Sequence, residues 1–384
     1  MKLQPELFYP SPIELSSVTH VRREPIRQID ACGRDFHEKF DDNTLFFDGF
    51  RSTDSTILIG PPLFNLAESI AGMKTFVGSK LCETTLLNLE RLTRVHVAGS
   101  GESITITSRL GSFAGVISPS HEDMFAGRRV LLTLSKNNRL DWIQDWIRYH
   151  RDIHGADAAL IYDNASTDYS AADLAQAIGA LGGLKVAAVV VWPFKYGPLG
   201  GEGAPWDSDF CQAGVLEHAR WRFLGRARSV MNGDIDELVV GPRSVFAAAE
   251  ASARGAVSYD GFWLFGMRGG GVDTPPQECA RHRDFYVAER PMMRWGFFPN
   301  RPNRCERKWT VVPQRCSVGT QWRVHGFSGL LGANVPSLRF SYRHLQPINT
   351  NWWYRRDRID VYDPRRHSVD RRLKDCLDSV AWDQ

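Results

Sequence analysis

The chain has no apolar run long enough to cross a bilayer as a helix, and its first residues, "MKLQPELFYPSP", lack the apolar core of a secretory leader. These absences predict a cytosolic (cytoplasmic) protein, with peripheral contact to a membrane surface left open. Cysteine is sparse, with seven residues in 384, odd in number and without a CxxC pair. That excludes a disulfide scaffold and a structural zinc site. Cys305 and Cys316 are candidates to pair, but free thiols are the expectation. Strong charge of one sign is also missing: a net charge of +3 is too small for a general nucleic-acid binder, although Arg crowds the C-terminal part. The expected partner is therefore a smaller anion and not a nucleic acid. Internal repeats and low-complexity tracts are absent as well.

What is present begins with length. A chain of 384 residues exceeds the usual size of one core, so two parts are expected. Between about Asn43 and Ser118 run short β-prone segments, among them "NTLFFDGF", "STILIGPPL", "RLTRVHVAG" and "ESITITSRL", separated by turn-forming Gly, Pro, Ser and Asp. They predict a small antiparallel sheet or sandwich, a β-rich N-terminal module over residues 1–127.

From residue 128 to 384 the pattern changes. "RRVLLTLS" suits a strand buried on both faces. "RLDWIQDWIRYHRDIHG" follows, with Trp142, Trp146 and Tyr149 at helical spacing and Gly155 as the stop. These aromatics, with His150, are read as helix core. "AALIYDN", "SAADLAQAIGAL" and "LKVAAVVVWPF" continue as strand, helix and strand, and a helix from Phe210 leads to "SVMNGDIDELVV". Such alternation means a largely parallel sheet with helices on both faces. Beyond Gly241 the periodicity weakens, and Gly269 to Gly271 with Pro275, Pro276, Pro299 and Pro302 mark long loops of the kind that cover a ligand.

In an open parallel sheet the ligand crevice lies outside the carboxyl ends of the strands. Lys136, Asn137 and Asn138 follow the first strand, Asp163 and Asn164 the second, and Asp234 and Asp236 a later one. Three carboxylates, Asp234, Asp236 and Glu237, thus sit between two apolar runs, where water, a basic partner or a metal must compensate them.

The segment "LTLSKNNRLDWIQDWIRYHRDIHGADAALIYDNASTD", followed by "FCQAG" and "NGDIDEL", resembles glycosyltransferase family 92 and related family 2-like glycosyltransferases. The likeness spans roughly Arg129 to Val240 and continues more weakly toward Arg356. Asn138 stands where that family usually has Glu. The resemblance implies a GT-A fold, a mixed sheet that transfers a sugar from a nucleotide sugar with inversion and a divalent metal. Two carboxylates one residue apart suit Mn²⁺ or Mg²⁺ against a diphosphate. On this reading Asp234 and Asp236 hold the metal, with His344 as the third ligand and His325 as the fallback. Lys136, Asn137, Asp163, Asn164, Gln212, Asp234 and Lys308 contact the UDP-sugar. Asp168 caps the next turn or helix. Asp273 and Glu278, in "WLFGMRGGGVDTPPQE", are the candidates for the base, and Trp295, Trp352 and Trp353 for stacking on acceptor sugars.

The expected reaction moves a hexose, galactose on the strength of the resemblance, from a UDP-sugar to a glycan or lipid-linked saccharide. Two alternatives stand beside it. One is a sugar nucleotidyltransferase, against which "TLSKNNRLDW" lacks the glycine-rich loop after the first strand. The other is a catalytically inactive GT-A domain acting as a glycan-binding or interaction protein. The Arg groups "YRRDR", "PRRH" and "DRRLK" read as a solvated helix face, the functional alternative being an acidic glycan or an anionic membrane surface.

Overall fold

Strand residues that alternate between two apolar environments build the centre of the molecule. In the computed structural model, which describes residues 3–27, 35–198, 208–294, 298–300, 303–350 and 358–382, the run Arg129–Ser135 is a strand buried on both faces. Leu131, Ala159, Ile161, Ala187 and Val189 face one core, shared with the helices Leu140–His154, Ala171–Gly179 and Arg371–Asp378. Their neighbours Val130, Leu132, Leu160, Tyr162, Ala188 and Val190 face the other, shared with the helix Cys211–Arg222. A period of two is what separates the faces of a strand, and burial of both requires cover on both sides.

The result is a mixed nine-stranded sheet. Its order is Glu6–Phe8, Val186–Val191, Ala158–Asp163, Arg129–Ser135, Ser229–Asn232, Arg304–Val311, Ala256–Leu264, Pro336–Leu345 and Glu237–Val240. The first five are mutually parallel; Arg304–Val311 runs antiparallel to Ser229–Asn232, and Glu237–Val240 antiparallel to Pro336–Leu345. Three of these strands lie beyond Gly241, where the sequence suggests loops. Two of their charged members, Lys308 and His344, have internal partners, so an apolar pattern is not what marks them as strands.

The first long helix runs Leu140–His154 and stops at Gly155, whose φ of 72° is the left-handed conformation of a helix C-cap. Trp142, Trp146 and Tyr149 are buried and donate hydrogen bonds to the carbonyls of Ala280, Glu237 and Val239. The helix core thereby grips the strand that follows the acids. The next helix is capped by Ser170, in a reciprocal box with Asp173, and not by Asp168. Ser170 stands immediately before the first helical residue, and Asp168 is too early to reach its N–H groups.

Residues 48–116 form two four-stranded antiparallel sheets, Asp48–Ser52, Ser55–Gly60, Leu92–Val97 and Thr84–Leu89 in one, and Gly111–Val116, Ser103–Ser108, Lys74–Val77 and Lys80–Cys82 in the other. Leu58, Val95, Val97, Ile104, Ile106 and Phe113 make their own core. Phe50, Ile57 and Ile59 point the opposite way, into the core under Cys211–Arg222. Two wholly buried ion pairs fasten that contact. Arg94 lies 2.6 Å from Glu217, and Arg222 2.7 Å from Asp48, which also accepts from His218 at 2.9 Å. Glu6–Phe8, within the stretch assigned to the β-rich module, is itself an edge strand of the large sheet. Cys305 and Cys316 are both free. Among the described residues no helix is long and apolar enough to cross a membrane.

Candidate functional site

Four residues, Gly233 to Asp236, join the strand Ser229–Asn232 to the strand Glu237–Val240 at the far edge of the sheet. Three strands lie between these two. Five Cα steps reach at most about 18 Å, and four strand spacings in a flat sheet need about 19 Å, so the sheet curls to bring the ends together. The acid link runs across the ends of the three intervening strands; two of them meet it with a side chain, and the third stacks a ring on one of these.

From Arg304–Val311 comes Lys308. Its Nζ lies 2.7 Å from Asp234 Oδ2 and 3.3 Å from Glu237 Oε2, and the side chain is 2 % exposed. Burial works to lower the pKa of this ammonium, but Asp234 and Glu237 more than reverse it and hold the group above its ordinary range. From Pro336–Leu345 comes His344, whose Nε2 is 2.9 Å from Asp236 Oδ2. From Ala256–Leu264 comes Trp263, stacked on the His344 ring with centroids 3.7 Å apart and planes at 18°. Glu237 lies beneath, accepting from the backbone N–H of Asp234 at 2.9 Å. Burial raises its pKa to about 7, against the opposing pull of Lys308.

Above these groups opens a cavity of about 530 Å³ at the carboxyl ends of the parallel strands, a volume in the range of small-molecule sites. Asp234, Asp236, Glu237, His344 and Trp263 line it, with Lys136, Asn138, Asn164 and Gln212 on the side of the parallel strands. Arg304, Glu306 and His325 close another side. Glu306 Oε2 is 2.7 Å from His325 Nε2, and that hydrogen bond keeps its carboxyl below the usual range. The N-terminal sheets contribute Arg91, in the turn after Thr84–Leu89, whose Nη1 donates to Asp209 at 2.6 Å.

The sequence-derived candidates divide accordingly. Lys136, Asn164, Gln212, Asp234, Asp236 and His344 come together around the cavity. Asn164 is anchored as well as exposed to it, since its Nδ2 donates to the carbonyls of Trp192 and Phe194, both at 2.8 Å. Asp163 lies behind the cavity wall, buried, with Ser166 Oγ donating to it at 2.5 Å. Its carboxyl pKa is raised by burial against those hydrogen bonds. Asn137 locks two loops: at a φ of 54° its Oδ1 accepts from Thr167 N at 2.7 Å and its own N–H donates to Ser166 Oγ at 2.9 Å.

Other placements differ from expectation. Lys308 does not face the cavity, because its ammonium is enclosed by the two acids it neutralises. Asp234, one of the two carboxylates that the sequence suggests for a metal, thus already has a cation supplied by the chain. His325 binds Glu306 and not the acid link. Asp273 is exposed and accepts from Gly269 N at 2.7 Å, closing the glycine turn, and Glu278 is exposed beside Arg139; neither lines the cavity. Trp295, Trp352 and Trp353 lie outside the described residues. Among the described residues no three His, Cys, Asp or Glu side chains converge as a ready-made metal cluster.

Trp263, Arg91, Asp209 and Glu306 are cavity residues that sequence reading misses. Glu237 carries a visible signal, since it belongs to the same acid run, whereas Trp263 and Glu306 are brought in by pairings between distant strands, Arg91 by the N-terminal sheets and Asp209 from just before the helix Cys211–Arg222. No protein-family model and no curated protein matches the chain.

Proposed function

We propose that this chain is a GT-A-fold glycosyltransferase that moves a hexose from a UDP-sugar to a glycan or lipid-linked saccharide, with inversion and with a divalent cation. The observation that carries the reading is the Asp236–His344 pair on the wall of a cavity that also presents Lys136, Asn164 and Gln212. A nucleoside diphosphate asks for that mixture: cations toward the phosphates, amides toward the base and ribose, and carboxylate and imidazole donors for a metal.

The donor set fits Mn²⁺ or Mg²⁺. Asp236 Oδ2 and His344 Nε2 are 2.9 Å apart. Two donors about 2.1 Å from one octahedral ion and at right angles to each other stand roughly 3 Å apart. Asp236 and His344 are therefore the residues that would hold such an ion. When bound, such an ion neutralises the leaving diphosphate.

The chain's own groups do the rest. Lys308 fixes Asp234 and Glu237 from behind, Trp263 holds the His344 ring in plane, and Asp163 with Ser166 steadies the loop that carries Asn164. Lys136 contributes positive charge toward the phosphates. Glu306, held ionised by His325, takes the place of Asp273 and Glu278 as the candidate to receive the acceptor hydroxyl proton. A second reading, an inactive sugar-binding domain, is favoured by Lys308, because an internal cation already compensates two of the three acids.

The deciding experiment measures thermal stabilisation of the full chain by UDP with and without Mn²⁺, followed by UDP release from a panel of UDP-sugars with candidate glycans. Mn²⁺-dependent stabilisation with turnover supports the transferase. Stabilisation without turnover on any donor supports the inactive domain, and a folded protein indifferent to UDP rules out the transferase.

A further inference from the structure

We infer that the segment from Leu330 to Arg339, with its neighbouring loops, is a docking surface for an anionic lipid bilayer. Leu331 is 96 % exposed, Val335 65 % and Leu338 101 %. Single exposed apolar residues are ordinary, but three within eight residues concentrate apolar surface in one segment. Val318, 61 % exposed, joins them from the next loop, where Gly329 packs against Gly319. Elsewhere among the described residues no eight-residue stretch carries three such side chains.

Charge supplies the complementary half. From Arg307 to Arg356 the sequence contains no Asp or Glu, while Arg307, Lys308, Arg323 and Arg343 within it pair with acids from other segments. Arg254 lies against Gly332, Arg307 donates to the carbonyl of Asn334, Arg339 adjoins Leu338, and Arg315 packs on Gly255 beside Arg254. Arg254, Arg315 and Arg339 are exposed and form no ion pair among the described residues. An apolar segment this small binds a bilayer only marginally by itself, and stable attachment needs a second signal. Basic residues around the segment provide it where lipid headgroups are anionic. Val324 and His325, which line the cavity, precede this segment in the chain. The docking proposal stands apart from the transferase reading, because it uses neither the acids nor a nucleotide.

Sedimentation of the full chain with phosphatidylcholine vesicles, and with vesicles also containing phosphatidylglycerol, tests it. Binding is expected to the anionic vesicles alone and to fall with added salt. The Arg254→Glu/Arg339→Glu variant should bind roughly 30-fold more weakly or worse, at about one Lys/Arg step per residue. Leu331→Asp/Leu338→Asp should also lose binding, with an unchanged melting temperature, since both side chains are exposed. Failure to bind anionic vesicles, or equal binding by the variants, overturns the proposal. So does capture of the chain by a soluble anionic polysaccharide when the vesicles leave it free.

Discussion

Lys308 Nζ meets Asp234 Oδ2 at 2.7 Å, joining the strand Arg304–Val311 to the acid link. Glu237 completes the group at 3.3 Å, itself 3 % exposed. Removing Lys308 leaves the buried Glu237 without its cation, and breaking a buried pair costs about 3–5 kcal/mol. Lys308→Met is therefore expected to destabilise the chain by that amount in urea unfolding. Adding Asp234→Asn and Glu237→Gln should restore most of the loss, because the buried charge is then gone. If Lys308→Met alone leaves stability intact, the ammonium does not neutralise the acids.

Trp263 stacks on His344, the partner of Asp236. Groups that orient a metal ligand commonly change metal affinity by about 10–100-fold when removed. Trp263→Ala should weaken Mn²⁺ binding in the presence of UDP by that factor, and Trp263→Phe should recover much of it by keeping a flat ring on the imidazole. Binding of UDP without metal should not move in either variant. Asp236→Ala, by contrast, should abolish the Mn²⁺-dependent part of the UDP thermal shift. Isothermal titration separates the two effects; a Trp263→Ala protein with native Mn²⁺ affinity would show that the stack only packs.

The strands Arg129–Ser135 and Ala158–Asp163 are legible in the sequence because burial on both faces demands an uninterrupted apolar run. The helix between them is legible because one side must be apolar at helical spacing. Asp234 and Asp236 stand out for a related reason, as charge placed between two such runs. The three strands that cross the acid link obey neither rule. They place Lys308, Trp263 and His344 inward, and Lys308 and His344 meet carboxylates that only the folded sheet brings near. Trp263 pairs with His344 across a parallel register, and Arg91 reaches Asp209 from the N-terminal sheets, so no local spacing announces either contact.

Asn137 offers a test of the loop beneath the cavity. A left-handed φ costs a residue with a Cβ about 1–2 kcal/mol relative to glycine, and asparagine offsets this with local hydrogen bonds. Here Oδ1 accepts from Thr167 N and Nδ2 donates to Thr167 Oγ1 at 3.1 Å. Asn137→Ala should lose those bonds and keep the strain, for about 1–3 kcal/mol. Asn137→Gly should lose the bonds but relieve the strain, and fall between. The order Asn, Gly, Ala in melting temperature checks the claim, and Ala equal to or above Gly would contradict it.

His154 makes stability depend on acid. Its Nε2–H donates to Val239 O at 2.8 Å while Nδ1 accepts from Val245 N at 3.2 Å, so the neutral ring is the one that satisfies both partners. Complete burial lowers its pKa from the ordinary 6.5 to about 4, against the bond to Val239 that favours the charged form. His150, stacked 5.8 Å away, is lowered as well, again chiefly by burial. Between pH 4 and 6.5 the unfolded chain binds the proton that folded His154 refuses, so stability rises with pH across that window and is lost as pH falls through it. Above it the ring contributes no slope. The loss at pH 4 from His154 alone is on the order of 3 kcal/mol. Urea unfolding across this range should give a steeper pH dependence for the wild type than for His154→Gln, which has no proton to gain. The variant should be the less stable protein at neutral pH, where it forfeits the bond to Val245, yet lose less on acidification. Equal slopes for the two would mean that the ring is charged in the fold or reaches water.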